Sequence, residues 1–250
     1  MNIDFENKVV IITGAANGIG KAAALQFSQE GAKLVIADIN FEAATEVANQ
    51  IGDRAIAVKV DVAEEASCQA LIEKTIEHFG RLDVIFNNAG IAGVRASTAD
   101  QTGDDWRRVI DVNLNGVFYC TKYAINEMLK TGGGVIVNTA SVDGLIGMAS
   151  VPHYTAAKHA VMGLTKACAR EHGRQNIRCV AVAPGFIDTA MTQDCFSQAE
   201  SDALAAQVPN GRRAQPDEVA NMVLWLASDQ ASYVNGSYHV VDAGLIAGLG

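Results

Sequence analysis

The chain reads as an α/β protein, a Rossmann-type doubly wound parallel sheet of about seven strands with helices on both faces. Three observations predict this. Apolar runs are continuous rather than alternating, which marks strands covered on both faces and hence a parallel sheet. Segments of helical periodicity lie between the runs, with no linker, repeat or low-complexity stretch. The first run breaks directly into a glycine-rich turn that opens a helix. Right-handed crossovers then give an open sheet whose ligand sits beyond the carboxyl ends of the strands. A single domain over residues 1–250 is expected.

The strand-like runs are Val9–Ile12, Leu34–Ala37, Ala55–Val60, Val84–Phe86, Val135–Val137, Ile177–Val182 and Tyr238–Val241. Helical patterns fall at 18–30, 42–50, 64–79, about 103–130, 154–174 and 216–228. After the first strand comes Thr13-Gly14-Ala15-Ala16-Asn17-Gly18-Ile19-Gly20. Such a turn exposes backbone N–H groups, and the helix behind it adds more of them and the positive end of its dipole. Gly14, Gly18 and Gly20 let the backbone come close to a pyrophosphate that a side chain would block.

Asp38 closes the second strand, eighteen residues after Gly20. A carboxylate there accepts hydrogen bonds from ribose hydroxyls and repels a 2′-phosphate. Two like charges about 4 Å apart are worth roughly 4 kcal/mol at an effective dielectric of 20, enough to exclude NADP even when heavily discounted for exposure. Neither Ile39 and Asn40 nor Ala15, Ala16 and Asn17 supplies a cation to reverse this. Asp61-Val62 at the end of the third strand suits an adenine edge. Asn87-Asn88-Ala89-Gly90 after the fourth is a small-residue turn that can lie flat against a cofactor. Taken singly, both are also ordinary strand-end turn chemistry.

Tyr154 and Lys158 open the long helix after the fifth strand, four residues apart and so on one face. A neighbouring cation favours phenolate, which would move Tyr154 towards working pH as a general acid/base. Ser141 ends the preceding apolar run and brings a hydroxyl to the same edge of the sheet.

Composition limits the alternatives. With 49% hydrophobic and 19% charged residues, the chain can bury a large core. A net charge of −9 argues against nucleic acid or a membrane surface as partner. No apolar run approaches the ~20 residues of a membrane span, and Met1–Lys8 is too polar for a secretory signal. Cys68, Cys120, Cys168, Cys179 and Cys195 show no paired spacing and read as reduced thiols of a cytoplasmic protein. The five histidines lack ligand spacing, so no metal site is expected.

Together these motifs resemble the short-chain dehydrogenase/reductase family from about residue 6 to residue 244. The residues that carry the resemblance are Thr13-Gly14-x3-Gly18-x-Gly20, Asn87-Asn88-Ala89-Gly90, Asn113, Ser141, Tyr154-x3-Lys158 and Pro184-Gly185. The resemblance implies a catalytic set of Asn113, Ser141, Tyr154 and Lys158. Tyr154 would be the acid/base and Ser141 the hydroxyl that orients the substrate. Lys158 would lower the Tyr154 pKa and hold the nicotinamide ribose, and Asn113 would hold a water through its backbone. Gly14, Asn17, Gly18, Ile19, Gly20, Asp38, Asp61, Val62, Asn88, Pro184, Gly185, Ile187 and Thr189 would bind the cofactor, NAD.

Val142, Leu145, Ile146, Met148 and His153, with Phe186, Met191, Cys195, Phe196 and Leu204, would surround the substrate. These are largely apolar and include no Arg or Lys, so a hydrophobic secondary alcohol or its ketone is expected. A 3-oxoacyl-thioester reductase and a non-catalytic cofactor-binding protein are the competing readings. Asp38 and the nearly neutral turn Lys130-Thr131-Gly132-Gly133-Gly134 oppose the first, and the complete catalytic set opposes the second. Related enzymes are commonly homotetramers, and the apolar tail with Leu245, Ile246 and Leu249 is expected to pack on a neighbouring subunit.

Overall fold

The computed structural model describes residues 3–248. Seven strands form one sheet: β1 Val9–Thr13, β2 Lys33–Asp38, β3 Ala55–Lys59, β4 Val84–Asn87, β5 Gly134–Thr139, β6 Ile177–Pro184 and β7 Tyr238–Val241. Their order is β3-β2-β1-β4-β5-β6-β7, and every pairing is parallel. The order reverses between β1 and β4, where crossovers leave towards opposite sides and open a crevice at the carboxyl ends. Thr13, Asn87 and Thr139 extend their strands beyond the apolar runs, whereas β3 stops two residues short of Asp61.

Helices α1 Gly18–Gln29, α2 Phe41–Ile51, α3 Glu65–Phe79, α4 Gly103–Ile110, α5 Gly116–Thr131, α6 Pro152–His172, α7 Ala190–Cys195, α8 Gln198–Gln207 and α9 Pro216–Ala227 cover the sheet and its edge. The pattern expected as one helix over 103–130 is divided by a π-helical turn, Asp111–Asn115. The pair α7 and α8 is not foreseen by the sequence pattern. Proline at the start of α6 and of α9 fits a first turn that has no partner for its N–H. Asn40 and Thr102 cap α2 and α4 through their side chains.

Alternate strand residues feed opposite faces. Val10 and Ile12 pack with Phe27, Phe86, Val223 and Leu226 on the side of α1 and α9. Ile11 packs with Ile85, Ile136, Leu71, Cys120 and Met128 on the side of α3 and α5. Both faces are therefore dry, as the continuous apolar runs require.

The glycine turn between β1 and α1 has no spare volume. Gly14 has φ +64°, and a Cβ there would come 2.8 Å from the Cα of Ala89. A Cβ on Gly20 would overlap the Gly14 carbonyl oxygen and come 2.7 Å from the Asn88 amide nitrogen. Replacing Gly20 with Ala should thus destabilise the fold by about 1–3 kcal/mol, the usual cost of overpacking, and lower Tm by several degrees. Gly147, where a Cβ would meet nothing within 4 Å, serves as the control: Gly147→Ala should leave Tm nearly unchanged. Equal melting curves for the two variants in calorimetry would contradict this account of the turn.

Candidate active site

One cleft of about 810 Å³ runs along the carboxyl ends of β1 to β6, within the size range of cofactor sites. Of the residues named from sequence, Gly14, Asn17, Gly18, Ile19, Asp38, Asp61, Val62, Asn88, Ser141, Tyr154, Lys158, Pro184, Gly185, Ile187, Thr189 and Met191 line it. Gly20 and Asn113 are fully or nearly fully buried just behind the lining.

At one end the structure favours an anion and a sugar. Helix α1 starts at Gly18 without a capping side chain or an acidic residue in its first turn. Its leading N–H groups and dipole therefore remain available to a ligand. The Asp38 carboxylate accepts from Ala16 N at 3.0 Å and from Asn40 N at 2.9 Å, which ties it between the glycine turn and α2. Asp61 turns its carboxylate to Ala63 N at 3.0 Å. The Asn88 side chain donates to the Thr13 and Gly14 carbonyls at 3.0 and 3.1 Å, so it shapes the turn as well as lining the cleft.

At the other end stand Ser141, Tyr154 and Lys158. Strand β5 and a short 3-10 turn place Ser141, whose hydroxyl accepts from Asp143 N at 3.1 Å. The Lys158 side chain is almost fully buried, and its ammonium donates to the Thr139 carbonyl at 2.8 Å. That ammonium lies 5.5 Å from the centre of the Tyr154 ring. Asn113 sits in the π-helical turn and grips Ile91 twice, accepting from its N–H and donating to its carbonyl, both at 2.8 Å. Such turns recur at functional sites because they break the regular helical hydrogen-bond ladder.

The electrostatics correct one expectation, that Lys158 draws the Tyr154 pKa down. In this geometry burial dominates and holds the phenol well above its usual range; Asp143 adds to the rise and the Ser141 hydroxyl opposes it. Burial pushes Lys158 down to about 8, against the pull of Asp143. Asp143 itself is raised to about 6 by burial, with Lys158 and His159 opposing. At neutral pH the ammonium is therefore charged while the phenol keeps its proton. Asp143 carried no sequence signal beyond lying two residues after Ser141.

The expected substrate wall is only partly assembled. His153 does not face the cleft: it is fully buried, accepts from Tyr154 N through Nδ1 at 2.7 Å, and meets the Val94 carbonyl through Nε2 at 3.2 Å. An imidazole satisfied on both nitrogens has no reason to face solvent. Val142 is buried, and Leu145 packs on Val117, Ala140 and Met162 instead. Met148 is exposed. Phe186 and Phe196 stack edge to face, 5.9 Å apart, outside the lining.

The residues expected around the substrate contain no Arg or Lys, but cations from other segments lie close to them. Arg95 lies 5.0 Å over the Phe196 ring and Arg213 6.0 Å over Phe186. Asp104, Arg107, Arg108 and Asp111 line the cleft from α4 and the turn after it. Sequence reasoning missed these charges because it read the long helix only for its apolar periodicity.

Comparison with known proteins points to one family. The family model described as enoyl-(acyl carrier protein) reductase matches residues 14–246. A cyclohexanol dehydrogenase of Acinetobacter sp. (strain SE19) is 48% identical over 245 residues, covering 97% of this chain and 96% of that protein. The crystal structure of a levodione reductase superposes with a TM-score of 0.95 at 36% identity, covering 98% of this chain and all of the other. A 3-ketoacyl-(acyl-carrier-protein) reductase from Brucella melitensis, solved with NADH, gives 0.92 at 34% identity, covering 96% and 98%. A cleft with Ser141, Tyr154 and Lys158 at one end, the matched family model and these full-length relatives lead to one conclusion: the chain belongs to the short-chain dehydrogenase/reductase family of oxidoreductases.

Proposed function

We propose that the protein is an NAD-dependent dehydrogenase of hydrophobic secondary alcohols, acting reversibly on the matching ketones. The observation that carries this reading is a single cleft with Asp38 at one end and Ser141, Tyr154 and Lys158 at the other. The residues present fit a dinucleotide. The uncapped start of α1 offers N–H groups to a diphosphate, and Asp38 offers a carboxylate to ribose hydroxyls. A bound nicotinamide would supply or accept the hydride. The chain's own part is to orient the substrate oxygen on the Ser141 hydroxyl and to move its proton through the Tyr154 phenol. The buried Lys158 ammonium provides a neighbouring positive charge and would hold the nicotinamide ribose. Asn113, fixed against Ile91 in the π-helical turn, would hold a water through its backbone.

The largely apolar segment after Pro184-Gly185 supports a neutral substrate, as does the similarity to a cyclohexanol dehydrogenase. The second reading, a 3-oxoacyl-thioester reductase, is favoured by the likeness to the Brucella melitensis enzyme. Rates on cyclic alcohols, aryl ketones and 3-oxoacyl thioesters, each with NAD(H) and NADP(H), separate the two.

Asp38 predicts cofactor choice. The wild-type enzyme should show the higher kcat/KM with NAD(H), and Asp38→Ser with Ile39→Arg should narrow the gap. Equal or better wild-type efficiency with NADP(H) would refute the assignment.

Tyr154→Phe should lose at least a hundredfold in kcat, the scale for removing a general acid/base, while NADH titrates as in wild type. The raised phenol sets the sign of the pH dependence. Alcohol oxidation needs phenolate, so its rate should climb from pH 6 towards 8, whereas ketone reduction uses the phenol and should stay level until Lys158 loses its proton near pH 8. A flat oxidation profile, or near-normal turnover by the variant, would remove Tyr154 from this role.

A homotetramer is proposed as well. Leu245 and Ile246 are half-buried in a turn held by Asp242, whose carboxylate accepts from Gly244 N and Ile246 N; Leu249 lies outside the described residues. Phe118 on α5 and Tyr238 and Val240 on β7 are exposed apolar groups suited to subunit contact. Light scattering should report four chains, and a stable monomer would overturn the assembly.

A further inference from the structure

Helix α7 brings Met191 and Thr192 to the cleft, Thr189 just before it also lines the cleft, and α8 follows directly. The two ends of this segment are well anchored. Asp188 N donates to the Ala214 carbonyl and Ala214 N to the Phe186 carbonyl, at 2.8 and 3.0 Å, while Val208 is buried. The middle is held otherwise. Among the described residues, one hydrogen-bonded ion pair joins α7 or α8 to anything outside residues 186–208: Arg95 to Glu200, at 3.3 Å. The same guanidinium covers Phe196 at 5.0 Å.

Both ends of that link are prepared. Glu200 is fixed by a capping box at the start of α8, accepting from Ser197 N at 2.9 Å and from the Ser197 hydroxyl at 2.8 Å. Arg95 leaves a loop tied to the start of α6. Because Tyr154 N donates to His153 Nδ1, the ring proton sits on Nε2 and is donated to the Val94 carbonyl. Ala96 N donates to the Ser150 carbonyl at 2.9 Å, and Ser150 itself holds φ +68°. A residue other than glycine held in that region is kept there by its surroundings. Contacts thus run from His153, beside Tyr154, through Val94 to Arg95, and from Arg95 to α8. The buried His153, which does not face the substrate, gains a structural reason here.

We propose that Arg95 is a positioning residue that latches α7 and α8 over the substrate end of the cleft through Glu200 and Phe196. The proposal rests on the reading that this end receives the alcohol. The latch is weak by design. An exposed ion pair and an exposed cation–π contact together shift an open–closed ratio by about 3- to 30-fold. That is enough to retain a bound substrate and still let a product leave.

The test uses Arg95→Ala, Arg95→Lys and Glu200→Gln in the full-length protein. Glutamine at the third position of α8 still completes a capping box, so Glu200→Gln removes the charge and spares the helix start. Arg95→Ala should raise the alcohol KM by about 3- to 30-fold with kcat held or increased and with NADH affinity within twofold of wild type. Arg95→Lys and Glu200→Gln should fall between. Combining Arg95→Ala with Glu200→Gln should be no worse than Arg95→Ala alone, since both remove one contact. Limited chymotrypsin digestion should cut faster after Phe196 in Arg95→Ala, a readout that needs no turnover. An unchanged KM together with an unchanged cleavage rate would overturn the latch, as would effects of Arg95→Ala and Glu200→Gln that simply multiply. If wild type turns over none of the alcohols tried, the substrate reading fails while the digestion still decides on the latch.

Discussion

Two polar side chains at the centre of the sheet hold the site open. Thr13 at the end of β1 accepts through its hydroxyl from Asn88 N and Ala89 N, at 3.0 and 3.1 Å. Asn88 answers with its amide, donating to the Thr13 and Gly14 carbonyls. This exchange joins the ends of β1 and β4 where the strand order reverses, the one place where a crevice is available. The glycine turn must pass close beneath it, which is why Gly14 and Gly20 have no room for a methyl group. Helix α1 leaves from that turn, and Asp38 is tied to it through Ala16. The nucleotide end of the cleft thus depends on one small set of backbone-directed hydrogen bonds.

The chemical end depends on burial. Lys158 is an ammonium taken out of water beside a carboxylate, Asp143, that is also largely out of water. Desolvation pushes Lys158 down and Asp143 up, while their attraction keeps both ionised around neutrality. Tyr154 lies next to this pair and, in the free protein, is held as phenol. In the proposed reaction such a phenol would suit ketone reduction as it stands, and for oxidation it would first have to give up its proton.

Much of this was legible in the chain. All seven strands follow from continuous apolar runs, and Thr13, Asp38, Asn87 and Thr139 carry four of them further at the carboxyl end with polar side chains. Gly14, Asp38, Ser141, Tyr154 and Lys158 meet in one cleft because parallel topology brings every β-to-α turn to the same edge. What stayed hidden had no periodic signal. Helix α8, Gln-Ala-Glu-Ser-Asp-Ala-Leu-Ala-Ala-Gln, buries little besides Ser201 and so shows no apolar stripe. The π-helical turn at Asp111–Asn115 contains neither proline nor glycine to announce it. The direction of His153 was hidden because adjacency to Tyr154 says nothing about it: on a helix the next residue points about 100° away. Arg95 was invisible for another reason, since its partner lies 105 positions along the chain.

The bare start of α1 links folding to binding. Every other described helix that begins from a loop carries a capping side chain, an acidic residue in its first turn, or a proline there; α1 has none of these. An anion lodged at Gly18 would therefore act as a missing piece of secondary structure, supplied from solution. By linkage, the fold gains about 2.7 kcal/mol when such a ligand stands at a hundred times its Kd. The lifetime of the polypeptide would then follow the abundance of the ligand that fills this gap, and a chain starved of it would be the one most readily lost to proteolysis.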